Sequence, residues 1–348
     1  MCLSIISIFS CKDENNNNNG NNTVLETQIL TDFAHILANP NYQDIQAKAN
    51  TLRIAIQNLN NLSNEENLNL ARIAWRETRS SWEKAEGYLF GPVDDYNYDP
   101  AMDDWPVNKV DLDSLLASNN PLTLSDIDAL PTSLKGFHPI EYVLFGLGGS
   151  KIATQLTTRE KLYMVSLSQS LYNTTSDLRN SWDVNQSGNF TNQLINAGNG
   201  SSRFATRKEA FILIATSMAE ICDEVANGKM EEPLAALDST LQESQFSHNS
   251  TADFKNNIIG IQNAYHSKFF DDGHGLNELI VSKNISLDNK IQSQITTALN
   301  SFNAINSNYG LAIHTQVVQI HNAQNAINAL KVSLEDDLIN FIQTNVHD

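Results

Sequence analysis

Cysteine is nearly absent from this chain of 348 residues, which contains only Cys2, Cys11 and Cys222. The first two lie in a leader-like N-terminal segment, so the folded body retains Cys222 alone. A single cysteine cannot form an internal disulfide, and this excludes a disulfide-stabilised fold. The scarcity of thiols also argues against a structural zinc site or a copper(I) site.

Basic residues are scarce as well. The chain has 22 Lys and Arg against 40 Asp and Glu, which gives a formal net charge of −18 at pH 7. Nucleic-acid binding depends on the neutralisation of phosphates by basic side chains, so this charge argues against nucleic acid as a partner. It favours cations in general, although an acidic surface that keeps the protein in solution would explain the same charge.

The apolar run from Leu3 to Phe9 is too short to span a bilayer. It ends in Ile8-Phe9-Ser10-Cys11, which resembles a bacterial lipobox, in which the leader is cut before a cysteine that is then acylated. We therefore predict a lipoprotein signal peptide at 1–10, a lipid anchor on Cys11 and an Asn-rich tether at 11–23. We expect the protein to be anchored by its lipid in the bacterial cell envelope, at the outer membrane. Exposure at the cell surface is one orientation that fits this anchor.

Sustained alternation of apolar and polar residues is also missing, whereas apolar residues recur every three or four positions over long stretches. The sequence therefore predicts an all-α protein. Its length favours two helical domains, and the glycines in Gly146-Leu147-Gly148-Gly149-Ser150 suggest bundles at 24–149 and 150–348. Helices are predicted at about 24–38, 42–60, from 64 to Gly91-Pro92, and at 158–181, 204–226, 231–245, 251–266 and 286–306, followed by an apolar stripe over 313–341.

Five prolines interrupt the stretch from Gly91 to Pro131, which predicts a loop with short helical pieces. Carboxylates are frequent in and just before this loop. They are Glu83, Glu86, Asp94, Asp95, Asp99, Asp103 and Asp104.

The segment Gly136-Phe137-His138-Pro139-Ile140-Glu141 follows this loop. Pro139 suits the first position of a helix, which would place His138 at the N-cap and Glu141 at the third helical position. The spacing fits a capping box, and it equally fits chelation of one metal ion by an imidazole and a carboxylate. A metal site would need further carboxylates from the preceding acidic loop. One imidazole with hard oxygen donors suits iron, manganese, zinc or calcium.

Two segments in this order resemble the imelysin family. The first runs from Ala74 to Asp94 and includes Trp82-Glu83-Lys84-Ala85-Glu86 and Phe90-Gly91-Pro92, and the second is the histidine segment. The resemblance implies two helical bundles packed side by side with a site at their interface, and a family associated with iron-regulated envelope functions and once described as a metallopeptidase. The positions that match the family's site motifs are Gly136, His138, Glu141 and Glu86. We add Asp94 and Asp95 to the predicted site because they are near these motifs in sequence.

The predicted metal site therefore consists of His138, Glu141, Glu86, Asp94 and Asp95. We expect this site to bind a divalent or trivalent metal ion, with iron preferred over zinc or calcium, or a molecule that carries a metal. His274 is a weaker candidate from the second half, since a loop histidine between glycines is more often solvated.

Three functions remain open from the sequence. Metal capture needs only a few carboxylates and one imidazole on a rigid scaffold. A metallopeptidase usually needs a second histidine close by, yet Tyr142 follows Glu141 and no His-Glu-x-x-His occurs. A surface lipoprotein that binds a peptide or protein partner without metal would share the helical body and the anchor.

Overall fold

The computed structural model describes residues 15–346, with side chains from residue 23 onward. Within this range the chain forms α-helices, short 3₁₀ turns and π-helical turns, with one isolated β-bridge between Lys268 and Asp272 and no strand. The all-α prediction is confirmed. The predicted signal peptide and Cys11 lie outside the described residues, and the first helix begins at Asn15, inside the predicted tether.

The first half of the chain contains nine α-helices among the described residues. They are α1 Asn15–Asp32, α2 Asn39–Asn61, α3 Glu65–Glu83, α4 Pro92–Asp95, α5 Tyr98–Asp103, α6 Lys109–Ala117, α7 Leu124–Asp128, α8 Phe137–Phe145 and α9 Thr158–Trp182. A 3₁₀ turn, Glu86–Tyr88, follows α3. The proline-rich stretch thus forms a loop with the short helices α4 to α7, as predicted.

The second half continues with shorter helices. They are α10 Phe190–Ile195, α11 Arg207–Asp223, α12 Glu231–Ala236, α13 Ser250–His266, α14 Leu276–Val281, α15 Ile285–Ser301, α16 Tyr309–Thr315, α17 Val317–Val332 and α18 Ile339–Asn345. Three π-helical turns join neighbouring helices in the described chain. They are Phe33–Ala38 between α1 and α2, Glu224–Lys229 between α11 and α12, and Ser333–Leu338 between α17 and α18.

Helix α3 shows how local sequence sets these elements. The Asn64 side chain accepts a hydrogen bond from the Asn67 backbone N–H, which satisfies one of the free donors at the helix start. Acidic residues in the first turn add a favourable interaction with the helix dipole. Trp75 and Trp82 lie two turns apart on the same face, and both are fully buried. This face fixes α3 in the core.

Packing divides the helices into two groups. In the first group, α2 and α8 each pack against α3 and α9. In the second group, α17 and α13 each pack against α11 and α15. Helix α13 also contacts α3, and this contact joins the groups. The boundary predicted between 149 and 150 assigns α9 to the second bundle, and in the structure α9 packs on α2 and α8. The glycines after α8 form a short 3₁₀ turn.

The predicted helix at 231–245 is wrong beyond α12. Leu237 adopts a left-handed conformation with φ of 52°, and its N–H bonds to the Leu234 carbonyl, which ends the helix. The Asp238 side chain then accepts a hydrogen bond from the Thr240 backbone N–H. The chain from residue 237 to 249 is therefore a loop with one 3₁₀ turn. We call it the 237–249 loop.

Among residues 15–346, no helix combines the length and the apolar character that crossing a membrane requires. The apolar stripe predicted over 313–341 belongs to the core of the protein. Ile320, Ile327, Leu330 and Leu334 are fully buried, although Gln316 interrupts the helix between α16 and α17.

Two glycines allow a close approach between the two groups of helices. A Cβ atom on Gly260 of α13 would lie 2.5 Å from the carbonyl oxygen of Lys84, and one on Gly87 would lie 2.9 Å from the carbonyl carbon of Gly260. Real Cβ atoms do not approach backbone atoms so closely, so α13 and the Glu86–Tyr88 turn can touch only where both positions lack side chains.

We expect Gly260→Ala to destabilise the protein by about 1–3 kcal/mol, because overpacking must push α13 away from α3. Gly228→Ala is the matched control, since a Cβ atom there meets nothing within 4 Å. Urea denaturation followed by circular dichroism measures both free energies of unfolding. Equal stability of Gly260→Ala and the wild type would contradict the close approach.

Candidate metal centre

Ten polar side chains meet where α3 and α8 face the second group of helices. They are Arg79, Glu83, Glu86, Asp103, His138, Glu141, Lys229, Glu243, Asp253 and Asn257, and each is at most 6% exposed. We call this set the buried charge cluster. It contains six carboxylates, one guanidinium, one ammonium and one imidazole, so acidic groups outnumber the permanent cations.

Arg79 lies at the centre of the cluster. Its guanidinium contacts Asp103 and also Glu83, one helical turn further along α3, and one of its nitrogens lies 2.7 Å from Oε1 of Glu243. Oδ1 of Asp253 lies 3.8 Å from its Nε. One cation thus gathers carboxylates from α3, α5, α13 and the 237–249 loop.

Lys229 supplies a second buried cation. It is the last residue of the π-helical turn Glu224–Lys229, and its Nζ lies 2.7 Å from Oε2 of Glu86 and 2.8 Å from Oε1 of Glu243. Glu86 also accepts a hydrogen bond of 2.8 Å from the Asn257 amide of α13. The second group of helices therefore reaches into the cluster with a cation and an amide.

The histidine segment begins its helix two residues earlier than predicted. Gly136 is the N-cap of α8, so His138 is the second helical residue and Glu141 the fifth, and no side chain caps this helix. The capping-box interpretation is therefore wrong. Gly136 has φ of 85°, and a Cβ atom there would lie 2.1 Å from the Met102 carbonyl oxygen, which explains why glycine precedes the histidine.

Glu141 holds His138 in one orientation. Its Oε1 accepts hydrogen bonds from the backbone N–H groups of Phe246 at 3.0 Å and Ser247 at 2.7 Å, while Oε2 lies 3.0 Å from Nδ1 of His138. The other ring nitrogen, Nε2, lies 3.0 Å from Oδ1 of Asp103 without the alignment of a hydrogen bond. Nε2 therefore faces the carboxylates of the cluster.

Two overlapping sets of side chains are close enough to hold a metal ion. One set is Asp103, His138 and Glu243, and the other is Glu83, Glu86, Asp103 and Glu243, each with ligand atoms within 4.8 Å of one another. In the described part of the chain, Oε2 of Glu243 is buried without a hydrogen bond, whereas Nε2 of His138 lies beside Asp103 and Oε1 of Glu83 contacts the Arg79 guanidinium. Buried polar atoms are rarely left unpaired, and Oε2 of Glu243 fits a cation.

Burial and charge shift the acidity of these groups in different directions. Burial raises the pKa of Glu83 and of Glu86 well above the usual range, and it raises the pKa of Asp253 to about 7. Burial alone would also raise the pKa of Asp103, but Arg79 outweighs it and holds that pKa below the ordinary value. Asp103 is thus ionised, whereas burial opposes the ionisation of Glu83 and of Glu86.

The structure brings together three of the five predicted site residues, Glu86, His138 and Glu141. Asp94 and Asp95 do not join them: both lie on the exposed side of the short helix α4, and Asp95 forms an ion pair with Arg203. Proximity in sequence failed here because Pro92 starts a helix that turns these carboxylates toward solvent. His274 bonds to Asp32 and is half exposed, away from the cluster.

Several residues of the cluster were missed by the sequence analysis. Glu83 and Asp103 were noted as nearby carboxylates but not assigned to the site. The predicted site contains none of the others, which are Arg79, Lys229, Glu243, Asp253 and Asn257. Only Arg79 carried a visible signal, because it lies on the apolar face of α3 between Trp75 and Trp82, where a charged residue needs a buried partner.

Comparisons with known proteins agree with this architecture. The family model described as imelysin matches residues 38–336. The iron-regulated protein A of Synechococcus elongatus is 27% identical over 98% of this chain and 92% of its own length. A protein from Parabacteroides distasonis classed as an iron-regulated protein A precursor has a crystal structure with a TM-score of 0.83, 24% identity, and coverage of 93% of this chain and 95% of its own. An imelysin-like protein from Psychrobacter arcticum gives a TM-score of 0.76 at 16% identity, with coverage of 93% and 98%.

The shifted pKa values of His138 and Asp253 predict how the stability of the protein depends on pH. Burial opposes the charging of His138, but its contacts with Asp103 and Glu141 outweigh burial and raise its pKa from 6.5 to about 9. Asp253 likewise binds its proton more tightly in the folded state. Stability from Asp253 is therefore lost as pH rises through about 7, and stability from His138 as pH rises through about 9.

We expect the melting temperature of the protein in chelator to fall by several degrees from pH 6 to pH 9. His138→Gln removes the contribution above pH 7 and should flatten that part of the profile. His314→Gln is the control because His314 is exposed on α16. Differential scanning calorimetry measures the profiles, and a melting temperature that rises over this range would contradict the assignment.

Proposed function

The chain belongs to the imelysin family, and we propose that its buried charge cluster binds a metal ion, with iron as the preferred ion. The single observation that carries this proposal is that His138, Asp103 and Glu243 bring one potential ligand atom each to within 4.8 Å of one another in the buried interior. The names of two relatives, iron-regulated protein A and its precursor, support the choice of iron over zinc or calcium.

We assign the ligands as Nε2 of His138 and carboxylate oxygens of Asp103 and Glu243. Glu141 is then a positioning residue, because it holds Nδ1 of His138 and is itself held by two backbone N–H groups. A carboxylate behind a ligating histidine fixes its tautomer and raises its basicity. The histidine segment thus supplies a ligand and its support, not two ligands.

The charges of the cluster fit a cation with two or three positive charges. Six carboxylates face only two permanent cations, and burial together with neighbouring carboxylates raises the pKa of Glu83 and of Glu86 although Arg79 and Lys229 lie beside them. A metal ion would supply further positive charge and displace protons. Hard oxygen donors with one imidazole suit ferrous or ferric iron.

The role we propose for this site is metal capture for uptake, with the ion as cargo. Binding needs one histidine and a rigid set of carboxylates, and the cluster offers both. Peptide hydrolysis of the metallopeptidase type would in addition need an open path for a peptide to a site whose side chains are all at most 6% exposed. The geometry therefore favours binding over hydrolysis.

A metal titration tests this proposal. We expect isothermal titration calorimetry with Fe²⁺ under anaerobic conditions, and with Zn²⁺ and Ca²⁺ for comparison, to give one ion per chain. Glu141→Gln should weaken binding by about 10- to 100-fold, as for other residues that orient a ligand, and His138→Ala should weaken it further.

Asp95→Asn is the matched control, because it removes a carboxylate that the structure places on the surface. It should bind as the wild type does. A wild type that binds none of the three ions, or a His138→Ala variant that binds as tightly as the wild type, would contradict the site.

We also propose that the protein is held at the envelope by a lipid on Cys11, as Ile8-Phe9-Ser10-Cys11 predicts. Cys11→Ser should move the protein from the membrane fraction to the soluble fraction and leave its metal affinity unchanged. Cell fractionation with immunoblotting checks this. Equal membrane association of Cys11→Ser and the wild type would exclude the anchor.

A further inference from the structure

Lys229 occupies the position of a cation in the second set of potential metal ligands. That set is Glu83, Glu86, Asp103 and Glu243. The Lys229 ammonium lies 2.7 Å from Glu86, 2.8 Å from Glu243 and 4.0 Å from Glu83, so it contacts three of these four carboxylates. These three carboxylates belong to the set that could hold a metal ion.

Lys229 is not the sole donor to the buried carboxylates that it contacts. Its carboxylate partners already have Arg79 and the Asn257 amide as donors. A buried ion pair adds little net stability, since the desolvation of both charges offsets their attraction. Net stability alone therefore does not explain why a second cation is buried here.

The route by which Lys229 enters the cluster is also unusual. It ends the π-helical turn Glu224–Lys229, in which the Met230 N–H bonds to the Val225 carbonyl at 3.0 Å. Such turns add one residue to a helix and often occur at functional sites. The first residue of the same turn, Glu224, has a side chain that is 47% exposed, and its Oε1 lies 3.5 Å from the Lys229 Nζ.

The ammonium therefore lies between two alternative acidic environments. On the inner side are Glu86 and Glu243, and on the outer side is Glu224, with the Trp105 ring centroid 5.4 Å away. A shift of Nζ toward Glu224 would exchange buried carboxylate partners for one at the surface. The long, flexible side chain of lysine allows such a shift without movement of the backbone.

We propose that Lys229 is a built-in exchangeable cation, which holds Glu86 and Glu243 in this structure and yields them when a metal ion binds, moving toward Glu224. This inference rests on the proposed function, because it concerns the regulation of the same site. The ammonium lies 2.8 Å from Oε1 of Glu243, a residue that belongs to both sets of ligands, so its charge stands next to the position of the metal. Lys229 thus lowers the affinity for metal, and it keeps the carboxylates compensated before the ion arrives.

Neutralising Lys229 tests the competition. We expect Lys229→Gln to bind Fe²⁺ about tenfold more tightly than the wild type or better, since a positive charge next to the ion is removed. Lys229→Arg retains the charge and should not gain affinity. Anaerobic calorimetry gives the dissociation constants, and circular dichroism melting shows that each variant is folded.

A gain in affinity separates this role from a structural one, because damage to the fold would weaken binding. If Lys229→Gln binds Fe²⁺ no more tightly than the wild type, the inference is overturned and the proposed function stands. If neither protein binds, both are overturned. If only Lys229→Gln binds, the competition is supported, whereas metal capture by the natural chain is not.

A second variant keeps the test decisive if Lys229→Gln does not fold. Glu224→Gln removes the outer partner at an exposed position, and we expect it to weaken Fe²⁺ binding several-fold. Glu335→Gln is the control. Glu335 is also exposed and also lies near a lysine, and its substitution changes the net charge of the protein by the same amount. Equal affinities of the Glu224 and Glu335 variants would overturn the movement of Lys229 toward Glu224.

Discussion

Charges withdrawn from water must be compensated within the protein, and this requirement governs the junction between the two groups of helices. An isolated buried ion costs several kcal/mol, so ionised groups survive in the interior only when others surround them. Arg79 is fully buried and gathers carboxylates from distant parts of the chain. Because these carboxylates outnumber the available cations, the arrangement is stable only with bound protons or an added cation.

The scaffold around the cluster depends on backbone positions that exclude side chains. Gly136 lets α8 start against Met102, and Gly87 and Gly260 let α13 approach α3. That approach places Asn257, one turn before Gly260, within 2.6 Å of Glu83 and 2.8 Å of Glu86. The 237–249 loop completes the cluster, because its backbone N–H groups hold Glu141 and its Glu243 contacts both buried cations.

The helical fold could be predicted because apolar periodicity is a local property, as in α3 and α9. The histidine segment and Glu86 could be selected because their spacing and family resemblance lie within short stretches of sequence. Glu243 could not be selected, because the apolar periodicity continues through Leu237. The pattern gives no sign that Leu237 adopts a left-handed conformation and ends the helix. Asp94 and Asp95 lie at the surface and Asp103 lies in the cluster for a related reason: distance along the chain does not show which face of a short helix points inward.

The two buried cations are not equivalent, and the difference follows from their chemistry. A guanidinium offers five donors in a fixed plane, and Arg79 uses this fork to hold several carboxylates at once from the middle of a long helix. An ammonium is a compact charge on a flexible stem, and Lys229 extends from a π-helical turn beside an exposed carboxylate. Arginine is thus suited to a permanent centre that keeps the carboxylates together whether or not an ion is bound. Lysine is suited to a charge that moves, so the same set of carboxylates can remain assembled while the cation at its edge is exchanged.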